Sequence, residues 1–187
     1  ALPIFKLMLL ALCFLLHASS QAQNAFPAGT FQRGYGTAGD DEANAVCKTS
    51  DKGWAVAGYS NGFGTGNDFF IVKFDSSGVV KWSTHLNASG IESAVGIKEA
   101  NNGDLLVVGN TKVSNLSSSY TDVLLARYTA NGTFLWQKII SNTTTSNDEA
   151  YELLALPNGN IFIAGSTNST GLAGDAAIWL CDSAGNV

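Results

Sequence analysis

"DFFIVKFDSSGVVKW", residues 68–82, returns as "DVLLARYTANGTFLW" at 122–136 and begins again as "DAAIWLCDSAGNV" at 175–187. In the first two copies a Gly stands ten residues after the Asp and a Trp fourteen after it (Asp68, Gly78, Trp82; Asp122, Gly132, Trp136). Asp175 and Gly185 keep the spacing of ten in the third. Each copy is a short apolar run, a polar turn closed by glycine, and a second run, which predicts strand, turn and strand. A fixed repeat decides architecture before any local propensity does.

Two further anchors precede each copy. "DDEANAV" at 40–46 recurs as "GIESAVGI" at 90–97 and "NDEAYEL" at 147–153, an alignment that matches Glu42, Glu92 and Glu149. "SDKGWAVAG" at 50–58 recurs as "NNGDLLVVG" at 101–109 and "PNGNIFIAG" at 157–165, and the closing glycines Gly58, Gly109 and Gly165 lie 51 and 56 residues apart. A unit therefore carries four short runs, β-branched or aromatic and bounded by Gly, Asn and Asp. The run Phe69, Phe70, Ile71, Val72 is apolar on both faces and calls for cover on both sides. A four-stranded antiparallel unit covered on both faces by its own copies is a β-propeller blade.

The predicted fold is all-β, with blades at 37–84, 85–140 and 141–187, the last lacking its outer strand. An orphan strand is expected within 23–36, because "GTFQRGYG" at 29–36 aligns with "GTFLWQKIIS" through Phe31 in the place of Trp136. In the intact ring it would complete the closing blade. A ring of four to eight blades needs roughly 210–420 residues, so the expectation is an N-terminal fragment, an arc of about two and three-quarter blades. On its open face Ile161, Ile163 and Ile178 would meet the next blade.

Residues 1–22 read differently. Lys6 precedes an apolar run from Leu7 to Leu16, and Ser20 and Ala22 supply small residues before a cleavage point, the pattern of a secretory signal peptide. The run is about half of what a bilayer span requires, and the mature chain offers no other candidate span. Secretion or surface display is the expected localisation. Of the three cysteines, Cys13 leaves with the signal. Cys47 and Cys181 occupy different places in their repeats and are expected to be buried thiols, not a disulfide.

A net charge of -5 without a Lys/Arg cluster argues against a nucleic-acid partner. No phosphate loop, Cys/His metal spacing or HExxH motif occurs, so no catalytic residue, metal site or cofactor is predicted. The repeated acid is expected to pair with the base of the third strand, Glu42 with Lys73 and Glu92 with Arg127, although Leu180 replaces the base in the third unit. Trp82 and Trp136 are expected to pack between blades with the indole N–H satisfied. Trp54 and Trp179 fall outside the repeat pattern, and partial exposure is expected of Trp54. The variable loops 61–68, 111–122 and 167–175 are the natural binding surface of a repeat fold, and Phe63, Asp68 and Tyr120 are its candidate ligand residues.

The ordered anchors resemble the propeller repeats of secreted and cell-surface bacterial proteins, especially those of the Bacteroidota. The resemblance spans the mature chain from Phe31 to Val187. It implies a scaffold or binding module, in relatives often followed by a type IX secretion sorting domain, and no common chemistry. The turn-plus-Trp pattern is also similar to that of quinoprotein repeats, from which its spacing departs by one residue. Three classes stay open: a scaffold binding glycan or extracellular protein through its loops, a polysaccharide hydrolase or lyase with its catalytic residues in further blades, and a structural spacer of an adhesin.

Overall fold

Six turns of one kind punctuate the described residues. In each, the fourth residue donates its N–H to the carbonyl of the first, and the N–H of the first reaches the carbonyl of the fifth. The turns begin at Thr49, Asp75, Ala100, Thr129, Leu156 and Asp182. The fourth position adopts positive φ and is glycine in five of them (Gly78, Gly103, Gly132, Gly159, Gly185), while Lys52 holds it in the first with φ 67°. This is the three-residue hairpin connection in which a turn is followed by a left-handed residue.

Between these turns lie eleven strands: β1 (Asp41–Lys48), β2 (Trp54–Ser60), β3 (Asp68–Phe74), β4 (Val80–Leu86), β5 (Gly90–Glu99), β6 (Leu105–Val113), β7 (Asp122–Tyr128), β8 (Phe134–Ile140), β9 (Asp148–Ala155), β10 (Ile161–Thr167) and β11 (Asp175–Cys181). The computed structural model describes residues 32–64, 66–88, 90–113, 120–140, 146–168 and 174–187. Among them the protein is all-β, without a helix. The strands form three antiparallel sheets in sequence order, β1-β2-β3-β4, β5-β6-β7-β8 and β9-β10-β11. All belong to one compact unit, Gly34–Val187.

The predicted signal segment, Phe31 and residues 23–30 of the expected orphan strand lie outside the described residues, and its described part, residues 32–36, forms no strand with the first sheet. Within this stretch Tyr35 packs its ring 4.7 Å from that of Phe74 and donates its hydroxyl to the Gly78 carbonyl. Side-chain contacts, not ladder pairing, hold it to the first sheet.

Each first strand is bulged at the same place, so that Asn44, Val95 and Tyr151 are extra residues. The residue paired beside the bulge is Ala43, Ala94 or Ala150, and it faces Gly58, Gly109 or Gly165 on the second strand. A Cβ on any of these glycines would strike the carbonyl of Glu42, Ser93 or Glu149, which explains the glycine that closes every "AG" or "VG".

Two cores bind the three sheets together. Ala55, Ala57, Phe69 and Ile71 of the first sheet meet Ala94, Ile97, Leu105, Val107, Leu124, Ala126 and Tyr128 of the second. Leu106, Val108, Val123 and Leu125, the alternate positions of β6 and β7, meet Ala150, Leu153, Ile161, Ile163, Ala177, Trp179 and Cys181 of the third. Ile161 and Ile163 therefore face the middle sheet and are fully buried, a correction to their expected place on the open face. That face carries Leu154, Phe162 and Leu180 in one row and Ala164 and Ile178 in the next, with Ile178 66% exposed.

The tryptophans tie the sheets at their hairpin ends, as expected. The Trp82 ring lies against Gly132 of the next sheet, and its indole N–H donates to the Ala130 carbonyl at 3.0 Å. Trp136 lies against Gly185 in the same way. Trp54 is partly exposed, whereas Trp179 is buried in the second core. Cys47 is partly buried and Cys181 fully buried, both as free thiols.

The ion pairs differ from the expectation. Lys73, almost fully buried, places its ammonium 2.9 Å from Asp51 and also donates to the Phe74 carbonyl. Arg127 donates from Nε to Asp104 at 2.9 Å. Lys73 lies late in β3, opposite Ala55 near the start of β2, whereas Glu42 lies opposite Tyr59 at the other end of the sheet. The partner of each base is thus an acid in the turn before the second strand. Glu42 instead accepts from the Tyr59 hydroxyl, and Glu92 from that of Thr111.

Two outcomes follow for denaturant unfolding. Lys52→Gly removes a side chain from a left-handed backbone position and should raise stability by about 0.5–1 kcal/mol. Asp51→Asn strands the buried Lys73 ammonium and should cost about 2 kcal/mol, after discounting for the exposure of Asp51, while Glu42→Gln should cost under about 0.5 kcal/mol. Equal losses in the last two would contradict the observed pairing.

Candidate ligand-binding site at the loop ends of the sheets

The end of each sheet away from the hairpin turns carries a row of polar residues at matching positions. Ser60, Thr111 and Thr167 each stand two residues after the repeat glycine, at or within two residues of the end of the second strand. Asp41, Glu92 and Asp148 of the first strand pair with them on one side, and Asp68, Asp122 and Asp175 of the third strand on the other. Directly opposed residues share a face, so each sheet presents an acid, a hydroxyl and an acid side by side. The equivalent acids are hence Asp41, Glu92 and Asp148, not Glu42, Glu92 and Glu149. Counting back from the alanine beside the bulge gives the right set; aligning Glu-Ala and Glu-Ser by letter misses it by one residue.

The three rows are satisfied differently. Asp41 accepts from the Thr37 amide at 2.7 Å and from the Ser60 hydroxyl, which holds its carboxyl below the ordinary value. Asp148 accepts from the Ser146 hydroxyl at 3.1 Å. Glu92 is 0% exposed; its Oε1 accepts from Thr111 at 3.0 Å, while Oε2 has no hydrogen-bond partner among the described residues. Asp68 is 1% exposed, and neither of its carboxylate oxygens has such a partner. Burial pushes the Asp68 carboxyl above its ordinary value, and the charge of His85 pulls against that shift. Burial likewise pushes Glu92 up; the Thr111 hydroxyl and the amides of Ala88 and Gly90 oppose it, and the Asp68 charge adds to it.

Above Asp68 the loop from β2 to β3 folds an aromatic ring outward. Phe63 stacks on His85, centroids 4.1 Å apart and planes 7° from parallel, and leans on Phe70 at 5.6 Å. Phe70 and His85 are paired across β3 and β4, so both stand ready beneath it. Phe63 remains 39% exposed. The structure thus gathers Phe63 and Asp68 around His85. Tyr120 belongs elsewhere: it is exposed next to Thr121, whose amide and carbonyl bond Asn147 and Asp148 of the third sheet. His85 was not among the candidate ligand residues of the sequence reading, although it is the one histidine besides His17 and its strand position was legible.

At the opposite end, a cleft of about 320 Å³ lies between the second and third sheets, lined by Asn101, Asn102, Arg127, Pro157, Asn158 and Ser183. Its guanidinium is held by Asp104, the Ser183 carbonyl and Asn102, a structural brace between the sheets. Among the described residues no three His, Cys, Asp or Glu side chains are grouped to hold a metal ion. No helix among them is long and apolar enough to cross a membrane. No protein-family model matches the chain, and no curated protein matches it.

A carboxyl whose pKa is raised by folding binds its proton more tightly in the folded state. Its penalty is absent below the unfolded value and grows as pH climbs through the ordinary carboxylate range to the folded value. Asp68→Asn should therefore be more stable than the wild type by about 1–3 kcal/mol at neutral pH. That advantage should shrink as pH falls through the carboxylate range and vanish below about pH 3, where Asp68 is protonated in both states. Urea unfolding across this range measures both.

Proposed function

We propose that the three sheets are consecutive blades of a β-propeller and that the protein is a secreted or surface-displayed scaffold binding glycan through its loop ends. The blade reading is supported by the identical register of the three sheets and by a middle sheet covered on both faces. Further blades would complete the ring, with the segment 23–36 supplying a closing strand. Export rests on the Lys6, Leu7–Leu16 and Ser20/Ala22 pattern.

The observation that carries the binding reading is the exposed Phe63 ring, held in place by His85 and Phe70. A fixed aromatic surface beside Asn-, Gly- and Thr-rich loops suits the apolar face and hydroxyl rim of a sugar ring, and its ordering cost has already been met on folding. Asp68 and Glu92, the acids nearest that loop in the described strands, are closed to solvent.

The exported protein, with Gln23 as its expected N-terminus, should bind members of a polysaccharide panel in calorimetry. Phe63→Ala should weaken that binding about tenfold, a loss of roughly 1.4 kcal/mol. Unchanged affinity in Phe63→Ala would move the site elsewhere. Failure with every glycan, together with capture of an extracellular protein that Phe63→Ala abolishes, would replace glycan with protein as the ligand.

A further inference from the structure

The loop end of the first sheet gathers an aromatic ring, an imidazole and a buried acid on the face turned away from the second sheet. Phe69 and Ile71 enter the core against that sheet, so the alternate residues Asp68 and Phe70 point the other way. Phe70 is paired with His85 across β3 and β4, which makes Asp68 and His85 diagonal neighbours on one face, within reach of long side chains. Phe63 stands outside the strands, and its ring rests on this face, 4.1 Å from His85 at 7° from parallel and 5.6 Å from Phe70.

Asp68 is 1% exposed, and no described residue hydrogen-bonds its carboxylate. An ionised carboxylate in such a place is costly unless an opposite charge offsets it. His85 is placed to supply that charge, because it is exposed to water and histidine is the side chain that charges between about pH 8 and pH 5. The same proton would serve Phe63, since a cation against the face of an aromatic ring is attracted by its quadrupole. The attraction of His85 is also what opposes the upward push of burial on the Asp68 carboxyl.

Other charged groups on or against this face are committed. Asp41 is held by Thr37 and Ser60, Asp40 by Asn61 and Lys81 by Asp51, and Arg33 has an interaction partner. Lys48 stands at the far end of the sheet, opposite Trp54, and the loop 61–67 has no ionisable side chain. In the second sheet Ile139, paired with Leu124, takes the place of His85. The arrangement belongs to the first sheet alone of these two.

We infer that protonation of His85 fastens the Phe63 ring to the first sheet, so that the loop surface is held firmly in mildly acidic surroundings and loosened above neutrality. At high pH an ionised Asp68 faces a neutral imidazole and its burial is uncompensated. As pH falls, His85 takes up a proton that both Asp68 and Phe63 attract, and the fold gains stability. At still lower pH Asp68 becomes neutral and no longer needs the cation. The pH response belongs to the chain without ligand; its effect on binding rests on the reading of Phe63 as the ligand surface.

The test is thermal unfolding of the full chain at about pH 5.5 and about pH 8, on either side of the histidine range. His85→Gln should lower the melting temperature by about 3 °C at the acidic pH and by under about 1 °C at the alkaline one. In an Asp68→Asn background the acidic loss should fall by about half or more, the remainder being the attraction of Phe63. Equal losses at the two pH values, or an acidic loss that Asp68→Asn leaves undiminished, overturn the inference. Should Asp68→Asn not fold, the comparison of His85→Gln at the two pH values decides alone. Any glycan the protein binds through Phe63 should bind about threefold more tightly at the acidic pH in wild type and equally at both in His85→Gln. Equal wild-type affinity at both overturns the control of binding. A pH-dependent melting loss in a protein that binds no glycan removes the ligand reading and leaves the switch standing.

Discussion

Strands β6 and β7 are apolar at successive positions, and this is the constraint on which the rest of the structure depends. Odd and even residues of a strand point to opposite faces, so Leu105, Val107 and Leu124 enter one core while Leu106, Val108 and Leu125 enter the other. Neither face of the middle sheet tolerates water, since exposing one such side chain forfeits roughly 1.5–3 kcal/mol. Copies of the same unit provide the cover. Trp82, Asn44 and Asn110 then set how the copies sit. Asn44 donates to the Ala94 carbonyl, and Asn110 both donates to the Ala150 carbonyl and accepts its amide, each at the bulge where the ladder is interrupted.

Much of this was legible because it repeats. The Asp-Gly-Trp spacing located strands, turns and the inter-sheet role of Trp82, each of which answers a demand that every unit shares. The errors came where a one-dimensional alignment ignores a bulge or strand direction. Glu42 and Lys73 are neighbours in the order of anchors but stand at opposite ends of their sheet, because antiparallel pairing brings late β3 beside the turn before β2. Ile161 and Ile163 were given the wrong face because the side of a doubly apolar strand is set by its partners, not by its own letters. The acid-hydroxyl-acid rows were readable in principle from Ser60, Thr111 and Thr167 after each glycine. That both Asp68 oxygens and the Glu92 Oε2 lack hydrogen-bond partners among the described residues was not, since satisfaction depends on atoms brought from a different repeat.

The two ends of the sheets have different characters. At the hairpin end bonded turns, tryptophans seated on glycines and bases braced by turn acids add support, against which stands only the left-handed Lys52. At the loop end the first joint combines an outward aromatic, an exposed imidazole and two buried acids with raised proton affinity. Local rules of consistency are broken there and nowhere as plainly elsewhere among the described residues, which is the usual mark of a place kept for function.

The matched register of the three sheets has a consequence for how such a chain changes over generations. Positions 55, 57, 69 and 71 of the first sheet, 106, 108, 123 and 125 of the second, and 162, 164, 176 and 178 of the third occupy the same places and face the same way. A duplicated unit inserted between any two of them would find partners already shaped for both its faces. Gene-level copying can thus lengthen or shorten the array without a new interface being invented. Divergence is then free to concentrate in the loops, where each copy can be turned to a separate task while its neighbours hold it in place.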